Sequence, residues 1–327
     1  MEKHLIAEFE KYAREPVLAK MPDGSLVCTF LTGGDTEPDN ENFAAVSYSR
    51  DGGKTWTEPK PLFNHSKRGS WCTSISVFDG VAVASVCTYN TENYYRELST
   101  FFSESRDNGV TWTKPKSIRG HIDGCSLRLA VTLSNGDLLI PLYWQEAVDD
   151  YEWPENWREH FEVWRFVSGV GIRKKDDDVF YRYGYFADDQ LSFWEPNAFE
   201  TEPGHVIMYF RNRSRFLYLT ESFDYGRTWC APRQTDIPHS DSKVTCVKAG
   251  GTVIMINNAV GRGRTHLEIS WSRNGYDFDH ICYIEDENAG FFYPHAVADD
   301  KERRLYVAYE NAKQHYLAIY SYDELGI

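Results

Sequence analysis

The stretch Ser49–Trp56, SRDGGKTW, occurs in this chain in several related copies. SRDNGVTW spans Ser105–Trp112, SFDYGRTW spans Ser222–Trp229, and a weaker copy, SRNGYDF, begins at Ser272. The motif suits a hairpin turn, because Ser and Asp side chains hydrogen-bond nearby backbone amides, Gly adopts a positive φ and Trp packs beneath the turn. An enzyme needs one site, whereas a repetitive fold needs every unit secured, so the repetition indicates a structural role.

The spacing of these boxes predicts the fold. They begin 56, 117 and 50 residues apart, so the middle interval leaves room for a unit without a box near residues 160–180. A unit of about 55 residues fits roughly six times into the chain. Between the boxes lie short runs rich in Val, Ile, Tyr and Phe, and only the first dozen residues, with Leu5, Phe9 and Tyr12, offer a helical face. We therefore predict an all-β chain: a six-bladed β-propeller with box turns, forming one domain over residues 1–327.

The charge balance restricts the partners. With 35 basic and 49 acidic residues the formal net charge is −14, which argues against nucleic acid or an anionic membrane as partner. A few clustered arginines can still bind a small anionic glycan. We find no apolar run of signal-peptide or membrane-spanning length and no metal motif, so we expect a cytoplasmic protein, or a secreted one if a leader was removed, without metal or cofactor. The oligomeric state is not predictable from the sequence.

The boxes resemble the Asp-boxes of the sialidase and BNR-repeat superfamily, and the resemblance covers nearly the whole chain. Arg14, in the segment YAREP, resembles the Arg of the sialidase Arg-Ile-Pro motif, although Glu15 stands where Ile is usual. Asp39 lies 25 residues after Arg14 and 10 before Ser49, which matches the acid/base Asp of sialidases better than Asp35 does. The arginine that many sialidases carry just before this Asp is missing.

The resemblance continues in the second half of the chain. In FWEPNAFETEPGHVIMYFR, Glu195 and Arg211 are 16 residues apart and resemble the family's Glu-then-Arg pair. The third arginine of the family would be Arg264, with Arg262 as an alternative. The segment GFFYPHAV resembles the one that carries the catalytic Tyr, which implies Tyr293 as nucleophile. A later Tyr-Glu implies that Glu310 orients the first arginine.

These residue types suit a sugar that carries a carboxylate on its anomeric carbon. A neutral phenol avoids the repulsion that a carboxylate nucleophile would meet, and sialidases are known for a Tyr nucleophile. Tyr293 would need Glu195 as its base, and the arginines at 14, 211 and 264 would bind the substrate carboxylate. Asp39 would act as acid and then as base. The resemblance thus implies a retaining exo-α-sialidase-like glycoside hydrolase.

Two other functions stay open at this point. A glycosidase or polysaccharide lyase for another anionic sugar, such as a uronic acid or a rhamnose linked to one, would use Tyr together with His121 or His295, and His295 is also a candidate substrate-binding residue. A non-catalytic glycan-binding propeller is the other alternative. The aromatic insert Trp144–Phe166, with Trp153, Trp157 and Trp164, either walls a sugar site or covers a blade.

Overall fold

The protein is a six-bladed β-propeller, as the box spacing predicts. The computed structural model describes residues 1–92, 94–148, 164–286 and 289–327. Its strands form six antiparallel sheets, five of four strands and one of five, and consecutive strands of the chain are neighbours within each sheet. Each sheet is one blade, and its first strand lies at the hub.

The strands of the first three blades follow one another along the chain. Blade 1 contains β2 (Ala13–Lys20), β3 (Leu26–Thr32), β4 (Phe43–Ser49) and β5 (Lys60–Phe63) after an initial strand β1 (Glu2–Glu8). Blade 2 contains β6 (Gly69–Phe78), β7 (Val81–Asn90), β8 (Tyr94–Ser105) and β9 (Lys116–Ser117). Blade 3 contains the two short inner strands β10 (Ser126–Leu127) and β11 (Val131–Thr132), then β12 (Leu138–Ala147), β13 (Trp164–Arg173) and β14 (Tyr181–Ala187).

The remaining blades repeat this pattern. Blade 4 contains β15 (Trp194–Glu202), β16 (His205–Arg211), β17 (Phe216–Ser222) and β18 (Arg233–Pro238). Blade 5 contains β19 (Thr245–Ala249), β20 (Thr252–Asn258), β21 (Leu267–Ser272) and β22 (Asp279–Glu285). Blade 6 contains β23 (Phe292–Asp299), β24 (Arg304–Asn311) and β25 (Gln314–Ser321), followed by the short helix α1 (Tyr322–Leu325).

The two ends of the chain close the ring. Strand β1 pairs antiparallel with β25 and supplies the outer strand of blade 6. The helical face predicted for the first dozen residues is therefore wrong up to Glu8: a pairing partner some 300 residues away decides their conformation, and local periodicity does not reveal it. Within the described ranges, no helix has the length and apolar character needed to cross a bilayer.

The boxes connect the third and fourth strands of their blades and secure each blade to its predecessor. In the first box, Thr55 N and Thr55 Oγ1 donate to the Asp51 carboxylate at 3.0 and 2.7 Å, and Trp56 Nε1 donates to Gly53 O at 3.0 Å. A Cβ at Gly53 (φ +95°) would lie 2.3 Å from Leu317 Cδ2 of the preceding blade 6. The box turn therefore packs directly against the neighbouring blade, which confirms its structural role.

The other boxes repeat these contacts. Gly109 packs on Val27, Gly226 on Leu139 and Gly275 on Phe199, each on the blade before its own. In blade 3, residues 174–180 connect the last two strands, β13 and β14, and stand where a box would be. This turn lies within the interval predicted for the unit without a box.

Candidate active site

Three inner strands begin with the same backbone feature. Glu15, Glu195 and Tyr293 have φ values of +51°, +45° and +48°, and each is followed by a proline. A register shift follows in each case, between residues 14 and 17, 194 and 197, and 292 and 295. Such bulges re-aim side chains beside functional sites, and a positive φ in residues of this size stores strain. Blades 1, 4 and 6 thus each bring one such residue to the hub.

Two of the predicted arginines lie against one aromatic ring. The guanidinium of Arg14 is 4.5 Å from the centre of the Phe292 ring, and that of Arg264 is 5.1 Å from it. Arg264 is also 5.6 Å from the centre of the Tyr293 ring. Arg14 Nη1 donates to Glu310 Oε1 at 3.1 Å, and Glu310 is fully buried. Glu310 therefore has the contact with Arg14 that the resemblance implied.

The third arginine, Arg211, is linked to Arg264 by Asp241. Arg211 Nη1 donates to Glu195 Oε2 at 2.8 Å, and Arg211 Nε donates to Asp241 Oδ1 at 2.9 Å. Arg264 Nη2 donates to the backbone oxygen of Asp241 at 3.0 Å. Arginines from blades 1, 4 and 5 consequently converge around Phe292 and Tyr293, whereas the alternative Arg262 is exposed.

The electrostatics distinguish Tyr293 from Glu195. Removal from solvent, together with the charge of Glu195, raises the pKa of Tyr293 to about 12, against the opposing influence of Arg211. Burial by itself would raise the pKa of Glu195, but Arg211 and Arg128 outweigh it and hold that pKa below its usual range. Near neutral pH the pair is therefore a neutral phenol beside a carboxylate.

The loop after β3 carries the predicted acid. Asp39 is partly buried, whereas Asp35 is exposed. Asp39 Oδ1 accepts a hydrogen bond from Glu41 N at 2.9 Å, and Asp39 N donates to Asn42 Oδ1 at 2.8 Å. Asn42 is fully buried and also donates to Thr36 O at 3.0 Å, so it holds the loop in shape.

A second carboxylate on this loop acts electrostatically on Tyr293. Glu37 accepts hydrogen bonds from Tyr12 Oη at 2.7 Å and from Tyr95 Oη. Burial raises the pKa of Glu37, and the charge of Glu37 contributes to the raised pKa of Tyr293. The sequence analysis did not select Glu37, because its expectation followed the family spacing to Asp39.

The histidine candidates lie apart from the arginines. His295 is buried, and its Nδ1 accepts a hydrogen bond from Leu18 N at 3.3 Å, which ties blade 6 to blade 1. A substrate contact for His295 stays a prediction. His121 is exposed and packs edge-on against Tyr181 with ring centres 5.8 Å apart.

The aromatic insert contacts the site at its C-terminal end. Phe166 stacks on Trp194 with ring centres 5.0 Å apart, and Trp194 lies 4.8 Å beneath the Arg211 guanidinium. Trp153 and Trp157 lie outside the described residues. Within the described part of the chain, no group of three or more His, Cys, Asp and Glu side chains is arranged to hold a metal ion.

Several residues of the site escaped the sequence analysis. These are Glu37, Asp241 and the buried residues Glu15, Arg128 and Lys243 beneath Glu195. One sequence signal was available: EPVLA, EPNAF and YPHAV share a proline after the residue that faces the hub. Arg128 and Lys243 have no comparable signal, because only the closed ring brings them together.

Comparison with known proteins agrees with this architecture. The BNR repeat-like domain family matches residues 77–307. A protein of unknown function from Dyadobacter fermentans has a similar structure, with a TM-score of 0.78 at 16% identity, covering 98% of this chain and 97% of that one. A variant of NanB sialidase from Streptococcus pneumoniae gives 0.75 at 13% identity, covering 98% and 71%. A mutant Trypanosoma rangeli sialidase displaying trans-sialidase activity gives 0.71 at 19%, covering 100% and 58%. The comparison with curated proteins finds no match.

The fold and the hub define a propeller of the sialidase type, in which blade turns carry Asp-boxes and polar groups from several blades meet at the hub. The chain belongs to the BNR repeat-like domain family, within the sialidase and BNR-repeat superfamily.

Proposed function

We propose that the protein is a retaining exo-α-sialidase-like glycoside hydrolase, which removes a terminal sialic acid or a related sugar with a carboxylate on its anomeric carbon. One observation carries the proposal: arginines from three blades converge around Phe292 and Tyr293, where the buried Glu195 is bonded to Arg211 and acts electrostatically on the Tyr293 phenol. The sialidases of known structure are similar to this chain at low sequence identity, and such a similarity supports the fold alone. The proposed activity therefore rests on this arrangement of residues.

The arginines would bind the substrate. Guanidinium groups form paired, charge-assisted hydrogen bonds with a carboxylate, which lysine does not reproduce. Glu310 fixes Arg14, and Asp241 links Arg211 to Arg264, so the three groups lose little freedom when the anion binds.

The chemistry would proceed in two displacements. In the first, Tyr293 Oη forms a bond with the anomeric carbon, its proton passes to the Glu195 carboxylate, and the glycosidic bond breaks while Asp39 protonates the leaving oxygen. In the second, the Asp39 carboxylate takes a proton from water, the water oxygen displaces Tyr293, and Glu195 returns the proton to the phenol. Anomeric configuration is retained because each step inverts it.

Substrate binding would itself prepare the base. In the free protein Arg211 holds the pKa of Glu195 low, which makes Glu195 a weak proton acceptor for a phenol of pKa about 12. A substrate carboxylate on Arg211 offsets part of that positive charge and raises the basicity of Glu195 when the sugar is in place. The nucleophile is thus activated only in the complex.

The test is hydrolysis of an aryl α-sialoside by the purified protein, with Tyr293→Phe and Arg211→Lys as variants. We expect Tyr293→Phe to reduce kcat by about 10³-fold or more, because the covalent route is lost. Arg211→Lys keeps the charge but loses the paired geometry, and we expect it to raise KM. Arg262→Lys is the matched control, since Arg262 is exposed, and it should leave both constants unchanged. Equally slow release by the wild type and Tyr293→Phe would contradict the proposal.

The same preparation separates the alternatives. A lyase acting on uronic-acid glycans would yield unsaturated sugars that absorb in the ultraviolet, whereas a hydrolase would not. A binding propeller would retain sialylated glycans on a glycan array and release no free sugar after prolonged incubation.

A further inference from the structure

Beneath Glu195 lies a buried cluster of charges that the proposed chemistry does not use. Its members are Glu15, Arg128 and Lys243, with exposed fractions of 4%, 4% and 6%. Arg128 Nη2 is 2.7 Å from Glu15 Oε1 and 3.2 Å from Glu195 Oε1, and Lys243 Nζ is 3.4 Å from Glu15 Oε1. The cluster joins blades 1, 3, 4 and 5 across the hub.

Glu15 occupies a position equivalent to those of the two central groups of the site. It has the same positive φ, the same following proline and the same bulge as Glu195 and Tyr293. Its side chain is therefore aimed at the hub by the same local backbone, although it contacts Arg128 and Lys243 instead of the nucleophile.

The contacts divide the two oxygens of Glu195 between two arginines. Arg211 Nη1 holds Oε2 at 2.8 Å, and Arg128 Nη2 approaches Oε1 at 3.2 Å. Arg128 Nη2 lies between the carboxylates of Glu15 and Glu195, but its N–H groups do not meet hydrogen-bond geometry with either. These contacts are therefore ion pairs. A buried charge without compensation is strongly destabilising, and Glu15 supplies the counter-charge for Arg128.

We infer that Arg128, held in place by Glu15, which also binds Lys243, is a positioning residue that fixes the carboxylate of Glu195 for its work on Tyr293. This inference rests on the proposed function where it treats Glu195 as the base. Arg128 would act through Glu195, the group of the proposed site that it contacts.

Removing Arg128 should make Glu195 easier to protonate. Burial raises the pKa of Glu195, while Arg211, Arg128 and Lys243 lower it, so loss of Arg128 moves that pKa upward. The other ionisable groups that are influenced by Glu195 are Tyr293, Tyr143, Glu37 and His239, and Glu15 shares Arg128 with it. A base must be deprotonated to act, so the acid limb of the kcat profile should move to higher pH.

The decisive variant replaces the whole cluster by apolar side chains of similar volume, Glu15→Met/Arg128→Met/Lys243→Met. Apolar replacement of a complete buried ion cluster is often neutral for stability, whereas Arg128→Met alone leaves Glu15 and Glu195 poorly paired. We expect the triple variant to keep its Tm within a few degrees, to lose about tenfold or more in kcat, and to shift its acid limb upward by about one pH unit. KM should stay unchanged, because Arg14, Arg211 and Arg264 remain.

A purely structural cluster predicts a different result. The triple variant would then have the Tm, the kcat and the pH profile of the wild type, and that outcome would overturn the inference. The control is Lys20→Met, which removes an ion pair with Glu302 outside the hub cluster and should shift no limb of the profile.

A measurement without substrate separates this inference from the proposed function. In protein labelled with [13C]carboxyl glutamate, the signal that Glu195→Gln removes reports the protonation of Glu195 directly. Its midpoint should be higher in the triple variant than in the wild type even if no sialoside is hydrolysed. Identical midpoints would refute the role of Arg128, whereas a shifted midpoint in a protein without turnover would refute only the proposed hydrolase.

Discussion

Glu15, Glu195 and Tyr293 show how one backbone feature assigns residues to the hub. In each case a proline follows, φ is positive and the strand register shifts by a bulge. A residue before proline prefers extended conformations with negative φ, so the strain must be balanced by the surrounding sheet. The same backbone conformation thus brings two carboxylates and a phenol to the hub, and the side chain alone decides which group is presented there.

The identity of the proton donor is a question at the same scale. If Asp39 is the acid and then the base, Asp39→Asn should retain kcat/KM, which reports the first displacement, on a sialoside with a good aryl leaving group, and lose about 10²–10⁴-fold in kcat/KM on one with an alkyl or sugar leaving group. Its kcat should fall on both substrates, because the second displacement loses its base. Glu37→Gln is the matched comparison from the same loop, and it should slow both substrates to a similar extent. The reverse pattern would transfer the role to Glu37, whose carboxylate is bonded to Tyr12 and Tyr95.

The box turn is the element that joins neighbouring blades. Gly52 and Gly53 are adjacent in the first box, with φ values of +75° and +95°. A Cβ at Gly52 would meet nothing within 4 Å, whereas one at Gly53 would collide with Leu317 of blade 6. Gly53 is therefore required by its positive φ and by the lack of room for a Cβ atom, whereas Gly52 is required by its positive φ alone.

This difference can be measured by denaturant unfolding. Gly52→Ala should lower the free energy of unfolding by about 1–2 kcal/mol, the cost of a left-handed non-glycine residue. Gly53→Ala should cost about 1–3 kcal/mol more, because the packing against Leu317 must also be disturbed. Equal losses of unfolding free energy in the two variants would show that the box does not pack tightly against blade 6.

At the scale of the molecule, ring closure depends on the first strand. Ile6 and Leu5 are neighbours on β1, and their exposed fractions are 4% and 47%. Ile6 packs in the core between blades 6 and 1 with Leu18 and Leu317. We expect Ile6→Ala to lower the free energy of unfolding by about 2–5 kcal/mol, and Leu5→Ala by about 0.5 kcal/mol or less. A similar small loss for both variants would mean that β1 adds little to closure.

Buried histidines should make the whole propeller sensitive to acid. Burial, together with the charge of Arg211, lowers the pKa of His239 to about 3, and burial likewise lowers that of His295. At pH values below about 6.5, the ordinary pKa of histidine, these histidines bind protons in the unfolded chain but not in the folded protein. Stability should therefore fall as pH decreases from about 6.5 toward 3, by on the order of 1 kcal/mol per pH unit for each histidine.

Unfolding by urea at several pH values between 7 and 4 tests this. His239→Gln keeps an acceptor for Asn212 N, which now donates to His239 Nε2 at 3.4 Å, and it should flatten the dependence. His65→Gln, at an exposed position, should leave it unchanged. Parallel curves for the wild type and His239→Gln would exclude His239 as the source.

The sequence was sufficient for the architecture and for part of the site. Boxes at regular intervals and short β-rich runs predicted six blades, because each blade repeats the same local requirements for a turn and a sheet. The order Arg14, Glu195, Arg211, Arg264 and Tyr293 predicted residues that the fold brings to one hub, since every blade repeat directs the same end of its sheet and the adjoining loops there.

Only the tertiary structure decided the remaining features. The conformation of β1, the electrostatic influence of Glu37 on Tyr293 and the joining of Glu15 to Arg128 and Lys243 all depend on contacts between residues far apart in the chain. Local sequence specifies turns and periodicity, which act over a few residues. The pairing of charges across the hub is set by the closing of the ring, and no local pattern encodes that distance.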